Sequence, residues 1–201
     1  LKVAGNLAVH QGNYELARAR YQASLAIRRE MGDVPNIASL LNNLAVLAEY
    51  EGDYETSRAL NEECLALRRE VGDKSGIAIS LRNLGTVALA QGDYSTARVY
   101  LEEAVGLQRE VGNKSYLASA LNNLGVCFLV KKEVETAQKY FLQAIATAPG
   151  VGAPLYNLCR LNLQTGNEIA AEKYYRTYQA HDSTSQFAVE LSKFFTNGKI
   201  R

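Results

Sequence analysis

Histidine is nearly absent from this sequence. His10 and His181 are the only two in 201 residues, and they stand far apart. A histidine-centred acid/base pair or metal site has little to build on. The three cysteines, Cys64, Cys127 and Cys159, form no C-x-x-C pair, and an odd count is a poor disulfide framework. Each sits among apolar neighbours, where a free cysteine behaves as a small hydrophobe. Unpaired thiols favour a reducing, cytoplasmic setting. No excess of one charge exists either: 22 Lys+Arg face 21 Asp+Glu, a net charge of +1. That excludes direct nucleic-acid binding by bulk charge, which needs a basic excess to displace counterions. No apolar run approaches the roughly 20 residues of a membrane helix, so no membrane partner is expected. The start, Leu1-Lys2-Val3-Ala4-Gly5, has no initiator Met and no signal-peptide pattern, and reads as a piece cut from a longer protein.

Motifs of catalysis are missing as well. There is no H-E-x-x-H, no G-x-S-x-G and no paired Cys/His ligand set. Gly72-Asp73-Lys74-Ser75 superficially resembles a phosphate loop, but Asp73 stands where a Gly must precede the Lys. The same run returns as Gly112-Asn113-Lys114-Ser115, as a repeated joint would. No enzymatic activity, cofactor or metal is expected. What is present is ordinary globular material, 47% hydrophobic and 21% charged, which argues against disorder.

What is present is also periodic. Gln11-Gly12-Asn13-Tyr14 returns as Glu51-Gly52-Asp53-Tyr54 and as Gln91-Gly92-Asp93-Tyr94, a period of 40 residues. Residues 41–80 and 81–120 share 19 identities in 40 positions. A fourth copy begins at Leu121-Asn122-Asn123-Leu124-Gly125, with its turn changed to Lys131-Lys132-Glu133. A fifth follows at a shorter step, Leu155-Tyr156-Asn157-Leu158 leading to Thr165-Gly166-Asn167. Each repeat predicts two helices. In the third, Asp73 caps the first helix, and Ile77, Leu81, Leu84, Val87 and Ala88 form its apolar stripe. Gly92 stops it and Asp93 caps the second, whose stripe is Tyr94, Ala97, Leu101, Ala104 and Val105. Small residues mark close approach: Ala45, Gly85 and Gly125 on first helices, and Ala17, Ala97 and Ala137 on second helices.

Leu84-Gly85, Gly92-Asp93-Tyr94, Ala97, Leu101 and Ala104, and again Leu124-Gly125, Ala137, Phe141, Ala144 and Pro149, resemble the tetratricopeptide repeat (TPR). The resemblance covers nearly the whole chain. The 40-residue period and the joint Arg69-Glu70-Val71-Gly72-Asp73-Lys74-Ser75-Gly76 resemble the long-repeat type found in Pins/LGN-like adaptors, kinesin light chains and the bacterial MalT and Rap groups. The fifth repeat departs, with Cys159 in place of the Gly and Tyr178 in place of the last small residue. The fold expected is therefore all-α: a right-handed solenoid of about five helix hairpins (1–32, 33–72, 73–112, 113–149, 150–182). A capping helix and tail (183–201) follow, with Phe187, Leu191, Phe194 and Phe195 on one face.

Asparagines recur on the first helices. Asn43, Asn83, Asn123 and Asn157 precede the Leu of their repeats. Asn42 and Asn122 double the row, with Arg82 and Tyr156 in the same slot elsewhere. The resemblance implies that first helices line a concave groove and that similarly placed Asn residues hold partner peptides. A carboxamide suits this, since it pairs with both the N–H and the C=O of an extended backbone. A structural role, bonding to the adjacent helix, stands beside it. Asn6, Tyr50, Val126 and Arg160 complete the candidate peptide-binding set, with Val46, Thr86, Leu89, Leu129, Val130 and Leu163 around them. A chaperone-type carboxylate clamp is incomplete. Lys2, Asn6 and Asn43 occupy three of its five places, but Ile79 and Asn83 stand where cations are needed. Arg28-Arg29-Glu30, Arg68-Arg69-Glu70 and Arg109-Glu110 near the ends of second helices read as a solvated face. The expected function is a scaffold for a protein or peptide partner. The alternatives are a regulatory or sensor module of a larger signalling protein or transcriptional regulator, and a structural module that self-associates through its exposed ends.

Overall fold

The computed structural model describes residues 1–182, 185–196 and 199–200. They form eleven helices in series. These are α1 (Lys2–His10), α2 (Tyr14–Glu30), α3 (Val34–Tyr50), α4 (Tyr54–Glu70), α5 (Lys74–Ala90), α6 (Tyr94–Val111), α7 (Lys114–Val130), α8 (Val134–Thr147), α9 (Gly152–Gln164), α10 (Glu168–His181) and α11 (Gln186–Ser192). A two-residue antiparallel pair follows, β1 (Phe195–Thr196) and β2 (Lys199–Ile200). The fold is the all-α helix-hairpin array read from the sequence.

The helix ends follow from the joints. Asn13, Asp33, Asp53, Asp73, Asn113 and Asn167 each accept the backbone N–H three residues on, satisfying one orphan donor of the first turn. The residue before each of these caps is a glycine at φ between 63° and 78°. Before α8, where Glu133 makes no such cap bond, the same place is held by Lys132, a non-glycine residue at φ 62°.

Two compact units divide the chain, Leu1–Leu107 and Gln108–Arg201. In the first, α1 to α5 pack each on the next, and second-helix side chains fill notches on first helices. Tyr21 lies against Gly5, and Leu101 against Gly85. A Cβ on Gly85 would stand 2.6 Å from Leu101 Cγ. At the corresponding place in the second repeat the pair is Ala45 and Asn61, where a methyl group is matched by a smaller partner. Val3 and Leu7 of α1 are 80% and 58% exposed; one repeat later the position of Leu7 is Leu47, which is buried.

In the second unit α7 packs on α8, α8 on α9 and α9 on α10. Phe141 fills the notch at Gly125, within a core of Phe128, Ala137, Leu158 and Leu161. Tyr178, the bulky substitute in the fifth repeat, is buried against Gly152, and its hydroxyl pairs with Ser185 Oγ at 2.8 Å. Helix α11 covers α9 and α10. The expected apolar face is partly corrected. Leu191 and Phe195 are buried, but Phe194 is about half exposed. The helix ends at Ser192, so Phe195 sits in β1, where its ring stacks on Tyr175 at 4.2 Å, and helical periodicity no longer aligns Phe194. The side chain of Phe187 lies outside the described residues.

Candidate functional site

The first helices of the first unit bring Asn43 and Tyr50 to one pocket, with Asn6 bonded to its lining. Tyr21 donates its hydroxyl to Asn6 Oδ1 at 2.7 Å, and Asn43 Nδ2 approaches the same oxygen at 3.4 Å. Burial raises the Tyr21 phenol above its ordinary range, against the lowering effect of Asn43. Val9, Tyr21, Asn43, Val46, Leu47 and Tyr50 line a cavity of about 160 Å³. Tyr50 is 68% exposed at its edge and stacks on Tyr14 with ring centroids 6.1 Å apart.

Asn83 is placed differently. It is only 6% exposed, and both ends of its amide are engaged. Its Nδ2 donates to Asn42 Oδ1 at 3.0 Å and to Asn61 Oδ1 at 3.3 Å, while its Oδ1 accepts from Arg82 Nη2 at 2.8 Å. Asn61 in turn donates to the Ser57 carbonyl at 2.9 Å. The sequence reading missed Asn61, which lies on a second helix. Its signal was available: Tyr21, Leu101 and Phe141 occupy the same position in other repeats, so an asparagine there is an interior polar residue in need of a partner. Glu49 is half-buried; burial raises its carboxyl, and the nearby Arg82 charge opposes that shift.

In the second unit Asn157 donates to Asn122 Oδ1 at 2.9 Å, and Asn122 donates to Asn123 Oδ1 at 3.3 Å. Val126, Leu129, Val130, Asn157, Arg160 and Gln164 line a cavity of about 340 Å³. Arg160 lies over the Tyr156 ring, 5.5 Å from its centroid, and donates to the Tyr156 hydroxyl at 3.3 Å. Tyr156 itself is a core residue, packed against Tyr178. Burial is the main cause that raises its phenol, with the bond to Glu190 adding to it. It supports Arg160 rather than presenting its own ring. Among the described residues Arg160 pairs with no carboxylate.

The other candidates resolve into structure. Cys64 donates to the Ala38 carbonyl at 3.1 Å and Cys159 to that of Ala171 at 3.4 Å. Burial pushes the Cys159 thiol up to about 12. The first two arginine runs pair across helices rather than with the adjacent glutamates: Arg29 with Glu63 at 2.6 Å and Arg69 with Glu103 at 3.0 Å. Arg28 reaches Asp33, and Arg68 reaches the Gly76 carbonyl and Ser80 Oγ, both at 2.9 Å. Among the described residues no group of His, Cys, Asp or Glu is placed to hold a metal, and no helix is long and apolar enough to cross a membrane.

Comparison with known proteins agrees with this architecture. The profile of the tetratricopeptide repeat matches three overlapping stretches, residues 2–70, 36–110 and 76–150. No curated protein matches the chain in sequence. Among solved structures, BtubC (BKLC) from P. vanneervenii is 19% identical over 96% of this chain and 80% of its own, with a TM-score of 0.74. The apo form of RapI is 16% identical over 98% of this chain and 77% of its own, with a TM-score of 0.82. At these identities the likeness is one of fold.

Proposed function

The chain belongs to the tetratricopeptide repeat family, generally a non-catalytic scaffold for protein interaction, and from that premise we propose that it holds an extended peptide or partner helix against its first helices. The observation that carries the proposal is the cavity on α7 and α9. Val126, Leu129 and Val130 give it an apolar floor, and Asn157 and Arg160 stand on its rim. An apolar side chain fills the floor. Asn157 Nδ2 is committed to Asn122, which leaves Oδ1 to accept a backbone N–H. Arg160, already oriented by Tyr156, takes a carboxylate, so the favoured ligand pairs an apolar residue with an acidic group. The smaller cavity of the first unit pairs an amide, Asn43, with the aromatic edge of Tyr50 instead. Asn83, with its amide engaged, serves the reading indirectly by fixing Arg82 and Asn42.

Binding of the chain to a displayed random-peptide library tests this. Parent, Asn157→Ala and Arg160→Ala proteins run in parallel, each checked for helicity by circular dichroism. Enriched peptides are expected to lose about tenfold in affinity with either substitution, the worth of one hydrogen bond of about 1.4 kcal/mol. Equal binding by all three proteins refutes the assignment of the cavity.

A further inference from the structure

The turn between α7 and α8 departs from the other turns of the array. Among the described residues seven glycines hold a positive φ, and each is followed by an Asn or Asp whose side chain caps the next helix. Here the sequence is Lys131-Lys132-Glu133. Lys132 takes the glycine's place at φ 62°, where an L side chain is strained, and Glu133 makes no cap bond. Both changes cost stability, and an outlier of this kind points to function. A cation at a helix C-terminus does favour the macrodipole, yet Gln11, Glu51, Gln91 and Thr165 end the other first helices, and Lys131 alone would serve that purpose. Independently, the turn adjoins the cavity on α7 and α9. Val130 is the last residue of α7 in its lining, and Lys131 follows directly. At the 34-residue step of this repeat Arg160 corresponds to Val126 and Gln164 to Val130. Arg160 therefore stands at one end of the cavity, and the lysines stand beyond the other, about one helical turn or 5.4 Å further on. Both lysines are exposed, and among the described residues neither pairs with a carboxylate. Residues 108–201 as a whole carry 11 Lys+Arg against 7 Asp+Glu.

We infer that Lys131 and Lys132 extend the binding surface of this cavity, and that its partner is an acidic segment with a carboxylate on each side of an apolar residue. The inference rests on the cavity being the peptide site. The apolar residue enters the floor of Val126, Leu129 and Val130; one carboxylate meets Arg160 and the other meets the lysines. Lys132 keeps its charge there at the expense of the turn, a trade of stability for binding.

A displayed random-peptide library selected on the full chain supplies the probes. Enriched peptides are expected to carry Asp or Glu on both sides of the apolar residue. Lys132→Gly, which relieves the turn, is expected to weaken them about threefold at low ionic strength, the effect of one exposed charge pair, while the melting temperature rises. Adding Lys131→Gln is expected to bring the loss to about tenfold. Lys132→Arg keeps the charge and is expected to bind as the parent does. Replacing each peptide carboxylate in turn by its amide completes a double-mutant cycle: one carboxylate loses its effect in Lys132→Gly, the other in Arg160→Ala. Unchanged affinity in Lys132→Gly and in the double variant, with loss in Arg160→Ala, overturns this inference and leaves the cavity reading in place. Unchanged affinity in Arg160→Ala as well overturns both, as does a library that yields no peptide. A Lys132→Arg protein that binds as weakly as Lys132→Gly, or a Lys132→Gly protein that melts lower than the parent, also overturns the inference, the first by removing the charge as the cause and the second by removing the strain.

Discussion

Substituting Gly125 by alanine tests the packing of the second unit in a way that reverses the usual sign. A glycine inside a helix ordinarily gains about 1 kcal/mol on becoming alanine, through lower backbone entropy in the unfolded chain. At Gly125 the new Cβ would lie 2.5 Å from Phe141 Cε1 and 2.6 Å from Cδ1. Carbon atoms rest at about 3.5–4.0 Å, so about 1 Å of movement is required. Phe141 has nowhere to retreat: it is fully buried among Phe128, Ala137, Leu158 and Leu161. Overpacking of this kind costs about 1–3 kcal/mol, which exceeds or cancels the propensity gain and leaves a net loss of about 0–2 kcal/mol. Gly106 is the internal control. It lies within α6, and a Cβ there meets nothing within 4 Å. Gly106→Ala is expected to raise the melting temperature by about 2–4 °C, and Gly125→Ala to lower it by up to about twice that. Urea and thermal unfolding followed by circular dichroism measure both. A Gly125→Ala protein as stable as Gly106→Ala would refute the notch-and-ring account of the first-helix glycines.

Two further predictions concern single residues. Lys132→Gly is expected to stabilise the protein by about 1 kcal/mol, because the α7–α8 turn holds Lys132 at φ 62°, where an L side chain is strained; an unchanged urea midpoint would contradict this. The Cys159 thiol, ordinarily ionising near about 8.5, is pushed by burial up to about 12. The folded pKa is the higher one, so this contribution to stability is complete below about pH 8.5 and is lost as pH rises toward 12. The parent is therefore expected to lose more stability between pH 8 and pH 10.5 than Cys159→Ala, and parallel losses in the two proteins would contradict the burial.

The hairpin plan was legible because its signals are local. A glycine with positive φ followed by an Asx cap marks most of the helix joints within four residues, and the 40-residue period repeats that signal until it is unmistakable. The notches at Gly85 and Gly125 were legible for the same reason. The face formed by the first helices was only half legible. Asn43 and Asn83 look alike in sequence, yet Asn43 lines a pocket while Asn83 is locked to Asn42, Asn61 and Arg82. The difference comes from Asn61, which reaches Asn83 from a second helix 22 residues earlier, beyond any helical periodicity. Tyr156 read as a groove residue because it stands in the slot that Asn42 and Asn122 hold in their repeats; its burial against Tyr178 depends on the fifth repeat's departure from the pattern. Phe194 and Phe195 parted because the last helix ends three residues before Phe195, where Lys193 follows Ser192 and no glycine or Asx stands to announce the end.

The Arg29–Glu63 and Arg69–Glu103 pairs each join residues 34 apart. Excising residues 33–72 as a block would set Gly32 before Asp73, a turn glycine before a capping carboxylate, just as at the two original joints. Arg29 would then meet Glu103 at the same separation, and Arg28 would face the Gly76 carbonyl and Ser80 that Arg68 now holds. Both of these latches on the second helices would survive the cut. Asn83 would not fare as well, since both of its amide partners, Asn42 and Asn61, leave with the block. The outer latches are thus interchangeable parts, whereas the amide contacts of the first helices belong to particular neighbours. An array built this way can change its length by whole repeats while its joints stay intact, and each such change rewrites the surface offered to a partner.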